Sequence, residues 1–592
     1  LSEEAGKISP ENRPCYTIHI RNKGVYLQAS EGENLYSLLC RHGIYLQSFC
    51  GGKGTCGKCR VKINDKIRPA CQTFIHEDMT PEIVAPRERL HSMAGFMTRK
   101  KVKIDPGVFK RYLYLASYSR RYSDTELVLR NMYKKTGFTL TALMRLPKIL
   151  RKSGYQVTAV ARGAQIIDIE AGNTTSRMYG LSVDIGTTSI VCYLVCLVTG
   201  RVLGARYVRN PQASHGADVI SRIAYIINHQ DGLEKLRREV VNATSRCLTS
   251  LCHEIGVDPG NIYRLTFVGN TVMIQIFLGV DPAYIGYSPY MPTITRHTAY
   301  PARQLGLPVN PEAECIFLPC VGAYIGADAV GLILAADLHR TKDCRLALDI
   351  GTNGEIVLSA GGELYACSTA AGPAFEGGQI EWGMCAEPGA IYEIYLDHKV
   401  YFKTIDNAPP KGICGSGLVD ILSGLLRERL IDIRGALKAA ENTPLWLKER
   451  ICRNKKGVGF QIAALEDKDN IVLTQRDIRQ LQLAKAATRA GIEILMKQAG
   501  VRQEDLDEVI MSGVFGNSLS KENIRSIGLI PWVPLRKIVA AGNAAGAGGL
   551  MMLLNHKLLD EVEKITKKVK YLELSRSTDF NAAFMRHINF EI

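Results

Sequence analysis

Within 592 residues no apolar run reaches the ~18–20 residues needed to span a bilayer. The longest, around Ala544–Leu554, is made of small residues and Gly and suits a packed helix. No stretch near the first residue has the charged, apolar, small-residue order of a secretory signal. There is no Gly-x-Ser-x-Gly elbow and no His-Glu-x-x-His pair, and the twelve His do not cluster. These absences remove a membrane span, a serine-hydrolase site and a helical zinc-peptidase site from consideration. Acidic residues are also in the minority, 58 against 74 Lys and Arg, for a net charge of +16.

What is present is an ordinary globular composition, 46% apolar and 22% charged, in a chain too long for one core. Seventeen cysteines are spread over that length, mostly singly in apolar stretches, which predicts a reducing compartment, the cytoplasm. The positive charge is local. Residues 98–153 hold fifteen Lys and Arg against Asp105, Asp124 and Glu126, a net +12. Such a patch reads either as a solvated face or as a surface that steers an acidic partner protein. No nucleic-acid-binding motif accompanies it.

Alternation in Tyr16–Ile20, the turn Asn22-Lys23-Gly24 and the continuation Val25–Leu27 predict a β-hairpin. Leu35, Leu38 and Leu39 predict a helix that Gly43 stops, and Arg60–Ile63 a strand. Hairpin, helix, loop and strand suit a small β-grasp domain over residues 14–85. Residues 86–178 read as a linker and basic middle domain, broken at Pro106-Gly107 and Pro147, with short strands at Val157–Val160 and Gln165–Ile169.

Between helix and strand lie Cys50, Cys56 and Cys59, followed by Cys71, in the spacing C-x5-C-x2-C-x11-C. Three thiolates on a loop with Gly51, Gly52, Gly54 and Gly57 can wrap one side of a [2Fe–2S] cluster, because glycine lets backbone N–H groups approach the sulfurs. A zinc knuckle is the competing reading, although zinc sites more often carry two C-x2-C pairs. The same loop contains Gly52-x4-Gly57-Lys58, but Cys59 follows where a P-loop needs Ser or Thr, and a strand follows where it needs a helix. Cys367 and Cys385 flank a second glycine-rich loop, a weaker candidate for another cluster; Cys192 and Cys196 read as core residues.

From Tyr179 the chain repeats itself. Leu181-Ser-Val-Asp-Ile-Gly-Thr-Thr188 returns as Leu346-Ala-Leu-Asp-Ile-Gly-Thr-Asn353, with the aspartates 165 residues apart. In each copy a buried strand runs into a tight turn where glycine exposes backbone amides to phosphate, threonine adds a hydroxyl and aspartate puts a carboxylate near Mg2+. The pair resembles the two phosphate motifs of the actin, Hsp70 and sugar-kinase superfamily. The resemblance implies two ribonuclease H-like lobes, residues 179–345 and 346–592, and an ATP site at Asp184, Gly186, Thr187, Thr188, Gly351, Thr352, Asn353 and Gly354. It also makes Asp184 and Asp349 the catalytic, Mg2+-holding carboxylates. Glu508–Asn517 suits the adenosine motif, with Gly513 and Gly516 against base and ribose, and Gly542–Gly548 suits a connecting hinge helix. Gly415 and Ser416 open an apolar helix whose amides would bind an anion, or Ser416 is its N-cap.

The cluster loop, Asn210–Arg222, Val268–Met273, Thr369–Gly378 and Gly412–Gly417 together resemble the ATP-dependent reductive activators of corrinoid proteins. Gln275 stands where that resemblance leads one to expect His. The resemblance implies an α/β multidomain protein that passes one electron from a [2Fe–2S] cluster to a corrinoid protein, taking Co(II) to Co(I), with ATP driving the uphill step. For one electron each ~59 mV costs ~1.4 kcal/mol, and a plant-type cluster sits at roughly −400 mV. The resemblance further implies a low-potential ferredoxin or flavoprotein as donor, and a homodimer. Three other readings stay open: a reductase of another acceptor, like the 2-hydroxyacyl-CoA dehydratase activators; a small-molecule kinase with a redox-sensing cluster; and a non-enzymatic ferredoxin on an actin-like scaffold.

Overall fold

The computed structural model describes residues 14–42, 44, 46, 52, 54, 59–83, 99, 101–115, 122–132, 136–454, 457–465, 468–513 and 519–590. Cys50, Cys56, Gly43 and Gly516 lie outside them.

The N-terminal hairpin pairs Cys15–Ile20 with Val25–Ser30, and Asn34 caps the helix Leu35–Arg41 by accepting from Ser37 N–H. Strand Arg60–Ile63 lies between Lys66–Pro69 and Glu82–Ile83. The period-two and helical apolar positions meet in one small core of Ile18, Ile20, Leu35, Leu38, Leu39, Val61 and Ile75.

The basic segment is a packed domain. Its four-stranded sheet runs Val108–Tyr114, Gln156–Arg162, Gln165–Ala171, Gly137–Phe138, and the helices Asp124–Arg130 and Leu140–Lys152 lie with it around Val128, Leu146, Leu150 and Val157. Pro147 does not break the chain as expected; it lies within the helix Leu140–Lys152. Proline removes one intrahelical hydrogen bond, and here the residue that loses its donor, Leu143, is exposed.

Both large lobes have one topology. In the first, Val202–Arg209, Ser189–Cys196 and Tyr179–Ile185 are antiparallel, and Ile262–Gly269 and Glu314–Phe317 continue parallel from the last of these. In the second, Glu363–Thr369, Gly354–Ala360 and Arg345–Ile350 are antiparallel, followed in parallel by Glu508–Ser512 and Ile538–Gly542. Asp184 pairs with Val268 and Asp349 with Ser512, so each aspartate lies beside a strand about to end in glycine. The second lobe adds the hairpin Ala390–Thr404 and the strands Ile451–Asn454, Gly457–Leu465 and Lys468–Thr474.

The lobes meet where helix Ala544–Leu554 crosses helix Ala327–Ala335. A Cβ on Gly548 would fall 2.3 Å from the Gly331 Cα, and one on Gly331 would fall 2.7 Å from the Ala545 carbonyl oxygen. Small residues there let two backbones touch, as the run Gly542–Gly548 suggested.

Candidate functional site: a cleft of buried carboxylates beside a ferredoxin module

Each Asp-Ile-Gly-Thr turn is fixed by the strand before it and by a neighbouring loop. On the first lobe, Asn210 donates through Nδ2 to the Gly186 carbonyl at 2.8 Å and through its backbone N–H to the Thr188 carbonyl at 2.9 Å. Asn270, after Gly269, donates to Thr187 Oγ1 at 3.1 Å. Arg222, fully buried, donates to the Thr187 carbonyl, to Gly216 and to Gln212, and burial draws its proton affinity down to about 9. On the second lobe, Gly372 N–H donates to the Thr352 carbonyl at 3.1 Å, and Gly513 takes φ +93° where a Cβ would strike Asp349 Oδ1.

The turns face each other across one cavity lined by Asp184, Gly186, Thr187, Thr188, Gly351, Thr352, Asn353 and Gly513. Those predicted residues are brought together. Gly354 instead begins the return strand with Thr369 Oγ1 against it. Gly415 and Ser416 are also outside the lining; Cys414 is the N-cap of that helix, and Ser416 Oγ donates to the Tyr392 carbonyl at 2.6 Å. The N-cap reading of Ser416 is therefore corrected: its hydroxyl bonds a neighbouring strand.

Three further carboxylates, Asp328, Glu355 and Glu376, line the same cavity. Burial raises Asp184 to about 6, with Asn543 Nδ2 donating to it at 2.7 Å as the opposing influence. Burial and then the charges of Asp184 and Asp328 raise Asp349 to about 7, while Ser512 Oγ donates to it at 3.2 Å. Burial likewise lifts Asp328 to about 7 and pushes Glu355 and Glu376 upward. Five acids desolvated together are costly unless protonated or neutralised by a cation. The donor set is all oxygen, as Mg2+ prefers, and the surrounding hydroxyls and turn amides suit phosphate. Glu376 ties the two turns to each other: Thr188 Oγ1 donates to its Oε2 at 3.0 Å and Thr352 Oγ1 at 2.6 Å, with the two hydroxyls 3.1 Å apart. Glu376 was visible in the Thr369–Gly378 stretch and Asn543 in the hinge run. Asp328, on the Ala327–Ala335 helix, has no local signal, because only the folding of that helix against the turns gives it a role.

At the other site, Cys59 and Cys71 are buried side by side, and Cys71 N–H donates to Cys59 Sγ at 3.4 Å. Asn34 holds the Cys71 carbonyl at 2.9 Å, and Gln72 holds the Gly54 carbonyl at 2.9 Å. Gly52 and Gly54 take φ of +82° and +80°, which β-carbon-bearing residues rarely adopt. A backbone N–H aimed at a buried sulfur, on a glycine loop, fits the donor set of a [2Fe–2S] cluster. Cys367 is in the second lobe's core with Sγ on the Gly491 carbonyl, whereas Cys385 faces Arg209. Among the described residues no three His, Cys, Asp or Glu side chains group as a metal-ligand set.

Family comparisons divide the chain into four consecutive pieces. These are a 2Fe-2S iron-sulfur cluster binding domain over residues 18–82, the RACo linker region over 97–176, the RACo middle region over 179–341, and the C-terminal ASKHA domain of RACo over 343–591. The corrinoid activation enzyme RamQ of Eubacterium limosum is 32% identical over 585 residues, covering 94% of this chain and 96% of that one. The [Co(II) methylated amine-specific corrinoid protein] reductase of Methanosarcina barkeri is 27% identical over 447 residues, 70% and 77% of the two chains. The solved structure of a reductive activator for corrinoid, iron-sulfur protein is 33% identical with a TM-score of 0.76, covering 97% of this chain and 98% of its own.

Proposed function

The chain belongs to the RACo family of ATP-dependent reductive activators of corrinoid proteins, and from that premise we propose how its residues divide the work. It reductively activates a corrinoid protein at the expense of ATP, returning cobalt from Co(II) to Co(I). Cys50, Cys56, Cys59 and Cys71 hold the [2Fe–2S] cluster, which when bound supplies the single electron. Asp184 and Asp349 hold Mg2+ with the triphosphate. The turn amides and the hydroxyls of Thr187, Thr188 and Thr352 bind phosphate oxygens, with Gly351, Asn353 and Gly354 shaping the second turn. Gly513 backs Asp349 in the phosphate cavity, Gly516 belongs to the adenosine side, and Gly415 and Ser416 support the lobe that carries the nucleotide.

The observation that carries this reading is the pair of aspartates on duplicated turns, facing one cavity, in a chain that also carries the four-cysteine loop. Removing charge from the Mg2+ site while keeping its shape separates the two functions. Asp349→Asn should leave the cluster's EPR signal unchanged and abolish ATP-dependent Co(I) formation. Full Co(I) formation by that variant would refute the assignment.

The acceptor is a corrinoid protein. A low-potential ferredoxin or flavoprotein as donor, and a homodimer as the assembly, are carried over from the family. Cysteines scattered along the sequence support a cytoplasmic setting, and no helix among the described residues is long and apolar enough to cross a membrane.

A further inference from the structure

The ferredoxin module reaches both lobes. On the second lobe, Arg60, next to Cys59, places its guanidinium carbon 6.0 Å from the centre of the Trp382 ring. On the first lobe, Cys40 at the end of the module's helix is near Ser214, Glu239 and Lys235, and burial pushes its thiol up to about 12.

Both seats lead back to Glu376. Gly377 is packed backbone to backbone on the Trp382 segment: a Cβ on Gly377 would fall 2.6 Å from Met384 N, and one on Gly383 would fall 2.2 Å from the Gly377 carbonyl oxygen. The Trp382 carbonyl accepts from Ile413 N–H at 2.8 Å, and Cys385 Sγ accepts from Arg209 of the first lobe at 3.3 Å. On the first lobe, Thr188, whose hydroxyl bonds Glu376, accepts at its carbonyl from Asn210 N–H, and four residues later Ser214 is near Cys40. A displacement at Glu376 therefore has a short, tightly packed route to each side of the module.

We infer that Glu376 is a positioning residue that reports bound ATP to the ferredoxin module. In the structure its carboxylate bridges Thr188 and Thr352, and this bridge keeps Trp382 under Arg60 and Ser214 near Cys40. The triphosphate takes the two threonine hydroxyls and repels the carboxylate. Glu376 moves, Gly377 carries the Trp382 segment with it, and the module is freed to face an acceptor. ATP then controls where the electron can go as well as when the lobes close. This rests on the ATP reading above and goes beyond it by naming the residue that links nucleotide to cluster.

Hydrogen–deuterium exchange on the cluster-loaded full chain, with and without Mg2+ and a non-hydrolysable ATP analogue, tests it. In the wild type the analogue should protect the turn at residues 184–188 and speed exchange in helix Leu35–Arg41 and around Trp382 by roughly tenfold. Glu376→Ala should show that fast exchange without nucleotide and no further change with it. Glu376→Gln, which still accepts hydrogen bonds, should remain docked without nucleotide. Trp382→Ala should free Leu35–Arg41 while leaving partner-free ATP hydrolysis unchanged. Protection of 184–188 with unchanged exchange at Leu35–Arg41 would overturn this inference and leave the ATP reading standing. No protection at either place would overturn both. A uniform rise across the Glu376→Ala chain would reduce Glu376 to a structural residue and overturn the inference.

Discussion

Gln275 is fully buried in helix Thr271–Leu278, and neither its amide oxygen nor its nitrogen has a hydrogen-bond partner. An unmet buried polar group costs about 1–3 kcal/mol, while an apolar residue of similar shape costs nothing comparable. Gln275→Leu should therefore stabilise the protein by about that amount, seen as a higher denaturant midpoint; a lower midpoint would mean that the amide is satisfied in solution. The cleft acids predict a pH dependence of known sign. Asp349 and Asp328 titrate near 7 in the folded chain against an ordinary value of 3.8. Between those values the folded state holds protons that the unfolded chain has lost, so raising pH through this window withdraws stability. Mg2+ with nucleotide favours the ionised acids, so binding at pH 7 should release about one proton and at pH 9 almost none. Calorimetry in two buffers of different ionisation enthalpy measures this, and buffer-independent heats at pH 7 would contradict it.

At the scale of elements, the crossing of helices Ala327–Ala335 and Ala544–Leu554 is the most demanding contact, because two backbones touch at Gly331 and Gly548. Gly548→Val should destabilise by about 1–3 kcal/mol or more through overpacking and should slow ATP turnover by holding the lobes apart. Thermal unfolding and ATPase assays check both, and a wild-type melting temperature with wild-type turnover would show the crossing to be loose. This helix was legible as a run of small residues, and both phosphate turns were legible because their signal is local and doubled. The N-terminal hairpin and Arg60–Ile63 were readable for the same reason. Strand Val108–Tyr114 was not, since Lys110 and Arg111 interrupt its alternation, yet Lys110 is buried against Glu170 and under Tyr263. Pro147 misled because a proline on a helix's wet face costs less than one in a core. Asp328 was illegible as a site residue because only tertiary folding brings it to the turns, whereas Glu355 follows the second turn directly and pairs with Asp349.

Over the whole molecule, the basic domain is part of the first lobe and not a tether. Asn310 Nδ2 donates to Asp168 at 2.7 Å, Thr141 Oγ1 to Glu312 at 2.6 Å, Arg162 to the Glu312 carbonyl at 2.8 Å, and Tyr263 bonds Glu170. Part of its local charge is thus engaged internally, as with Lys110, while Lys148 and Lys152 remain exposed to solvent. Among the described residues, the ferredoxin module meets the second lobe through Arg60 over Trp382.

The central claim is that one polypeptide couples a nucleotide cleft to an electron relay. Its most direct test is the yield of Co(I), read by absorbance under anaerobic conditions, when the cluster-loaded protein meets a Co(II) corrinoid protein and a low-potential donor. The account predicts substantial Co(I) with Mg2+ and ATP and almost none when nucleotide is omitted. Equal yields in the two cases would contradict it.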